Sequence, residues 1–119
     1  MVATAAGAKV RSGDHLPDVP GTRLRESLSA QTGHVLVTPG PLPALADLPD
    51  VAQVLLADTD AAVAGFQTVV ADPDRRGPAR LGLASGRILV RPDGYIGAIA
   101  AGADTTPIRA YQELTTTAG

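Results

Sequence analysis

The sequence contains no cysteine and no tryptophan, and aromatic residues make up only 3% of its 119 residues. Without thiols the chain cannot form disulfides, perform thiolate chemistry or hold a metal through sulfur ligands. Few rings remain for stacking on bases, and a net charge of −2 provides no basic surface for phosphates. These absences argue against cysteine-based redox catalysis and against nucleic acid as a partner.

Long apolar runs are also missing. No stretch approaches the roughly 20 consecutive apolar residues that span a bilayer. Residues 1–8 are small and apolar, but no basic segment precedes them, so they differ from a secretory signal peptide. We therefore expect a cytoplasmic protein that has no membrane partner.

The residues that are present describe a globular chain. Apolar residues make up 45% of the sequence and charged residues 18%, which is enough apolar surface for a core built from alanine, valine, leucine and isoleucine. A chain of this length normally forms one domain. We expect a flexible N-terminal segment over residues 1–12 and one folded domain over residues 13–119.

Hydrophobic patterning predicts an α/β sandwich with a mixed central sheet, a C-terminal β-hairpin and a final helix. The early strands are joined by helical connections, which favour parallel pairing, whereas the hairpin pairs antiparallel. Pro107 can occupy the first turn of the final helix, with Ile108, Tyr111 and Leu114 on one face. The predicted strands are 22–24, 34–38, 51–57, 67–71 and the hairpin 88–99, and the predicted helical segments are 26–31, 43–48, one turn within 58–65, 78–84 and the helix from residue 105.

The hairpin carries the most informative chemistry in the chain. Pro92 presets φ for the first central position of a turn, and Gly94 can adopt the left-handed conformation that the second strand needs. Arg91, Asp93 and Tyr95 cluster around this turn and form a possible interaction patch for a partner. The local interpretation, which we favour, is that Asp93 caps the turn, Arg91 pairs with a carboxylate and Tyr95 packs its ring.

Two histidines could take part in metal binding or base catalysis. His15 lies near Asp14 and Asp18, and His34 begins a strand. No third potential ligand stands at a spacing typical of a metal site, so a surface or locally hydrogen-bonded role is favoured for both histidines.

Other catalytic and binding motifs are missing. Neither Asp-x-Asp pair, at 58/60 or at 72/74, is followed by both the glycine and the glutamate of a calcium loop, so the pairs favour turns and helix caps. No serine lies in Gly-x-Ser-x-Gly, and neither dinucleotide nor nucleotide phosphate loops occur. The residues therefore predict no catalytic, cofactor-binding or metal-binding site.

Two segments resemble a known family. Residues 13–18, Gly-Asp-His-Leu-Pro-Asp, are similar to the Gly-x-x-x-Pro-Asp opening segment of thioredoxin-like domains. Residues 89–95, Leu-Val-Arg-Pro-Asp-Gly-Tyr, resemble a segment near the end of FAD-dependent aromatic-ring hydroxylases, whose C-terminal domain is thioredoxin-like. The resemblance covers about residues 13–100 and implies a thioredoxin-like fold.

The sequence also departs from that family. Ile-Gly-Ala-Ile follows Tyr95 where the family usually has Val-Ala-Trp-Arg, and the FAD motifs of the family have no counterpart. Where thioredoxins carry a reactive cysteine after the first core strand, this chain has Thr38 and Pro39. The resemblance therefore implies no hydroxylase or disulfide activity for this chain, and FAD only through a partner chain.

Three functional hypotheses follow. The leading one is a non-catalytic, redox-inactive structural or protein-interaction module, partnered by a second copy of itself as a homodimer or by a flavoprotein. The second is a small ligand-binding domain, or a small enzyme, that uses polar residues near His15, Asp18 and Arg91. The third is a separate subunit or fragment of a split flavin-dependent aromatic hydroxylase.

Overall fold

Across the residues that it describes, the computed structural model contains five strands and three helices. In chain order these are α1 (Leu24–Ser29), β1 (Val35–Thr38), β2 (Ala52–Ala57), β3 (Thr68–Ala71), α2 (Arg76–Leu81), β4 (Gly86–Val90), β5 (Ile96–Ala101) and α3 (Thr106–Ala118). The structure describes residues 13–17, 19, 22–31, 33–39, 42–45, 51–81, 83, 86–102 and 104–118, with side chains through residue 113.

The strands form one sheet in the order β3-β2-β1-β4-β5. β1, β2 and β3 pair in parallel, whereas β4 is antiparallel to both β1 and β5. This arrangement confirms the predicted α/β class, the mixed sheet, the C-terminal hairpin and the final helix. Within the described part of the chain, no helix has the length and hydropathy needed to cross a bilayer.

The sheet is buried on both faces. All four residues of β1 are buried, with Val35 and Val37 in one apolar cluster and Leu36 in another. The first cluster includes Leu24 of α1 and Leu81 of α2, and the second includes Ile108 of α3. Helices therefore cover the two faces, which is why the central strand is a continuous apolar run rather than an alternating one.

Two buried side chains order the segments around the sheet. The Asp72 carboxylate, only 3% exposed, accepts the Arg76 N–H at 2.9 Å and the Gly77 N–H at 2.7 Å, and so caps α2. The Gln53 side chain accepts the Leu45 N–H at 2.8 Å and donates to the Leu45 carbonyl at 2.7 Å.

Several predicted boundaries were wrong. Residues 22–24 are not a strand: Leu24 begins α1, and Leu24 and Leu28 lie four residues apart on the helix face that packs on the first cluster. Residues 42–45 are not helical because Gln53 satisfies the backbone of Leu45; residues 46–48 lie outside the described residues. Residues 58–65 contain no helical turn. α2 begins at Arg76 rather than Pro78, because the cap that Asp72 provides starts the helix two residues before Pro78.

Candidate functional site

The turn between β4 and β5 is formed by the residues for which the sequence predicts a turn. The Gly94 N–H donates to the Arg91 carbonyl at 2.9 Å, and the Arg91 N–H donates to the Tyr95 carbonyl at 2.8 Å. Gly94 has φ +87°, in the left-handed region that favours glycine. The strand register shifts beside this turn, between Leu89 and Val90.

The three residues of the predicted patch meet at this turn. Arg91 donates to the Asp93 carboxylate at 2.7 Å, and the other oxygen of Asp93 accepts the Tyr95 N–H at 3.1 Å. The side chains of Arg91 and Asp93 are 47% and 46% exposed, so solvent screens their ion pair. The favoured local interpretation is confirmed for the cap and the ion pair, and the same geometry presents the patch to solvent.

The N-terminal segment pairs with the start of β5. The Gly13 N–H donates to the Ile96 carbonyl, and the Ile96 N–H donates to the Asp14 carbonyl, both at 2.8 Å. His15 and Tyr95 form an isolated antiparallel bridge, and their rings are edge-on with centroids 5.1 Å apart. The two motifs that suggested a family therefore lie in contact.

A cleft of about 240 Å³ opens between this segment, α1 and the turn. We call it the hairpin cleft. Buried apolar residues of the first cluster form its floor: Leu16, Leu24, Val35 and Val90. Its polar lining includes His15, Arg25, Ser29, Gln31, Arg91 and Asp93. An apolar floor with a few polar groups at the rim is typical of a small binding site.

The hairpin cleft lies at the amino end of β1, because Val35 begins that strand and Val90 pairs with it. Thr38 ends β1 at the opposite, carboxyl end of the strand.

The structure sorts the candidate histidines. His15 and Arg91 converge on the hairpin cleft, as the ligand-binding hypothesis requires, while Asp18 lies outside the described residues. His34 lies elsewhere: its Nε2 is 3.3 Å from the Tyr111 hydroxyl, which joins the start of β1 to α3.

The aspartate pair at 72/74 makes local contacts. Asp72 caps α2, as favoured from the sequence, and Asp74 is 3.7 Å from the Arg76 guanidinium in an exposed ion pair. Across the described ranges, no group of three or more histidine, cysteine, aspartate or glutamate side chains is arranged to hold a metal ion.

Sequence reasoning missed Arg87 and Thr38. Arg87 is only 2% exposed and Thr38 is fully buried. The sequence feature that could have identified Arg87 is its position as a single arginine inside the apolar run Gly-Arg-Ile-Leu-Val, where a solvated arginine is not expected.

Neither a scan against models of protein families nor a search of curated proteins returns a match to this sequence.

Proposed function

We propose that the chain is a non-catalytic, redox-inactive protein-interaction module with a thioredoxin-like fold, and that it docks a partner protein at the hairpin cleft and the Arg91, Asp93 and Tyr95 patch. The single observation that carries the proposal is this juxtaposition of a small apolar-floored cleft with an exposed aromatic residue. Tyrosine and arginine are the side chains that protein interfaces favour at their energetic centres.

The topology supports the fold part of the proposal. β1 and β2 are parallel, β4 and β5 are antiparallel, and α3 follows them and packs on β5. A thioredoxin-like domain is expected to have this order at its core, with β3 as an added edge strand. The lack of cysteine supports the redox-inactive part, because disulfide exchange requires a thiolate.

The small exposed apolar area of the described surface favours a partner that can dissociate over an obligate homodimer. Among the described residues, the exposed large apolar side chains are Tyr95 at 43% and Val63 at 42%. Obligate dimer interfaces bury more apolar area than two such side chains can offer. We therefore favour a partner chain, and by the family resemblance a flavoprotein, with self-association as the competing outcome.

Two measurements separate these versions. Tagged wild-type chain is used to capture a flavoprotein from the source extract, read by flavin fluorescence in the eluate, and Tyr95→Ala and Arg91→Glu are compared with Val63→Ala as the control. We expect the flavin signal with wild type and the control and its loss with the patch variants. A flavin-free eluate contradicts the flavoprotein version, and a strict monomer by light scattering at high concentration contradicts self-association.

A second candidate function rests on the convergence of His15, Arg25 and Arg91 at the hairpin cleft. These side chains can donate to a carboxylate while the floor receives an apolar body. The candidate is binding of a small apolar carboxylate. Benzoate should shift the amide resonances of Leu16 and Val90 saturably, and benzyl alcohol should not; equal responses, or none, contradict it.

A further inference from the structure

Arg87 and Thr38 lie next to each other on the sheet face that α3 covers. Val37 pairs with Ile88, so the next rung of the antiparallel register brings Thr38 opposite Arg87. Arg87 also pairs with Ala100, which belongs to the second apolar cluster. The two residues therefore share one buried face, at the carboxyl end of β1.

Three polar atoms of this pair are buried and lack a hydrogen-bond partner among the described residues: Nε and Nη1 of Arg87 and Oγ1 of Thr38. The guanidinium makes one described hydrogen bond, from Nη2 to the Pro43 carbonyl at 2.8 Å. A guanidinium has five N–H donors, so this acceptor satisfies one of them. In a folded protein such buried donors are normally paired.

The charge of Arg87 makes this arrangement costly without a counter-charge. Burial lowers the pKa of the Arg87 guanidinium through desolvation. Arginine nevertheless stays protonated at neutral pH, so the side chain cannot shed its charge as a buried lysine can. Stabilisation then requires a negative group that accepts hydrogen bonds from the guanidinium.

We propose that Arg87 and Thr38 form a binding site for a small oxyanion, such as phosphate, sulfate or a carboxylate. The guanidinium supplies charge and N–H donors, and the Thr38 hydroxyl supplies a further donor on the same face. Nη2 bonds the carbonyl of Pro43, a residue whose own side chain is exposed, so the site lies directly beneath a surface segment. The site is at the opposite edge of the sheet from the hairpin cleft and is independent of the proposed docking function.

The test is thermal unfolding of the wild-type chain with millimolar phosphate, sulfate or acetate added in place of chloride at constant ionic strength. We expect a saturable rise in Tm, and the order of the three anions identifies tetrahedral or planar oxyanions. Arg87→Met should lose the response to the anions. Its Tm in chloride should be equal to or higher than that of wild type, because an apolar side chain replaces a buried charge that lacks a partner among the described residues. Arg80→Met, an exposed arginine at the end of α2, is the control and should respond as wild type does.

Thr38→Val should weaken the midpoint by about 10- to 100-fold, the usual contribution of one hydrogen bond to a charged group. If Arg87→Met does not fold, nitrogen resonances of the Arg87 side chain in the wild-type chain provide the readout and should move with the same midpoint. A rise in Tm that is identical in wild type and Arg87→Met overturns the proposal, since it reflects general exclusion of the salt from the protein surface. A flat response in wild type overturns it as well.

Discussion

A Cβ atom added to Gly94 would lie 2.9 Å from Nε2 of His15, so the turn between β4 and β5 and the N-terminal segment are packed in direct contact. The same histidine ring is edge-on to Tyr95. The two sequence motifs, residues 13–18 and 89–95, therefore form one structural unit, and its contacts can be tested by substitution.

Gly94→Ala should destabilise the domain for two reasons. The positive φ costs an L-residue about 1–2 kcal/mol, and the new methyl group must displace the His15 ring. Gly13→Ala is the matched control, because Gly13 has φ +93° but no atom within 4 Å of an added Cβ. Urea unfolding should show a larger loss for Gly94→Ala, and His15→Ala in the same chain should remove the difference. Equal losses for the two glycine variants would show that the His15 contact carries no energy.

Asp72→Ala should destabilise the domain by about 1–2 kcal/mol, because it removes the acceptor for two backbone N–H groups at the start of α2. Asp74→Ala removes only a solvent-exposed ion pair to Arg76 and should change stability by less than about 0.5 kcal/mol. Chemical denaturation of both variants measures the contrast. Similar losses from the two substitutions would argue against the helix-capping role of Asp72.

Asp93 combines a turn cap and an ion pair, and two substitutions separate them. Asp93→Asn keeps an oxygen for the Tyr95 N–H but loses the charge opposite Arg91, so it should cost less than about 0.5 kcal/mol and remove the salt dependence of the pair. Asp93→Ala removes both and should cost about 1 kcal/mol. Unfolding at low and high salt is the measurement. An asparagine variant as unstable as the alanine variant would assign the energy to charge rather than to the cap.

The start of α3 should be sensitive to acid. The backbone N–H of Thr106, first, and its side chain, second, lower the pKa of the Asp104 carboxyl below the usual aspartate range. A carboxyl whose folded-state pKa is depressed stabilises the fold above its unfolded-state pKa, and this contribution is lost as pH falls through the folded-state pKa. NMR titration of Asp104 and the protection of the amides at the start of α3, measured as exchange relative to the intrinsic rate at each pH, should change together, and Asp104→Asn should remove the acid-dependent loss of protection. An equal acid-dependent loss of protection in the asparagine variant would contradict this coupling.

Local chemistry explains what could be predicted of the fold. β1, β2 and β3 were predicted to within one residue because short apolar, β-branched runs bounded by glycine and proline have few alternatives. The turn at Pro92 and Gly94 was predicted because both residues act through their own backbone preferences. α1 was partly mistaken for a strand, since the segment around Leu24 is too short for periodicity to decide, and packing on the first apolar cluster determined its conformation.

The same distinction between local and long-range contacts applies to the candidate sites. The contacts among Arg91, Asp93 and Tyr95 span five residues and could be predicted from turn chemistry alone. The contacts of His15 with Gly94 and of Thr38 with Arg87 could not be predicted without the sheet order, because each pair is separated by about two fifths of the chain or more. Composition and local patterning established a cysteine-free α/β domain with a C-terminal hairpin. Only tertiary structure decided that one arginine of an apolar strand would be buried, and that the N-terminal segment would line a cleft, since burial and long-range pairing depend on which strands become neighbours.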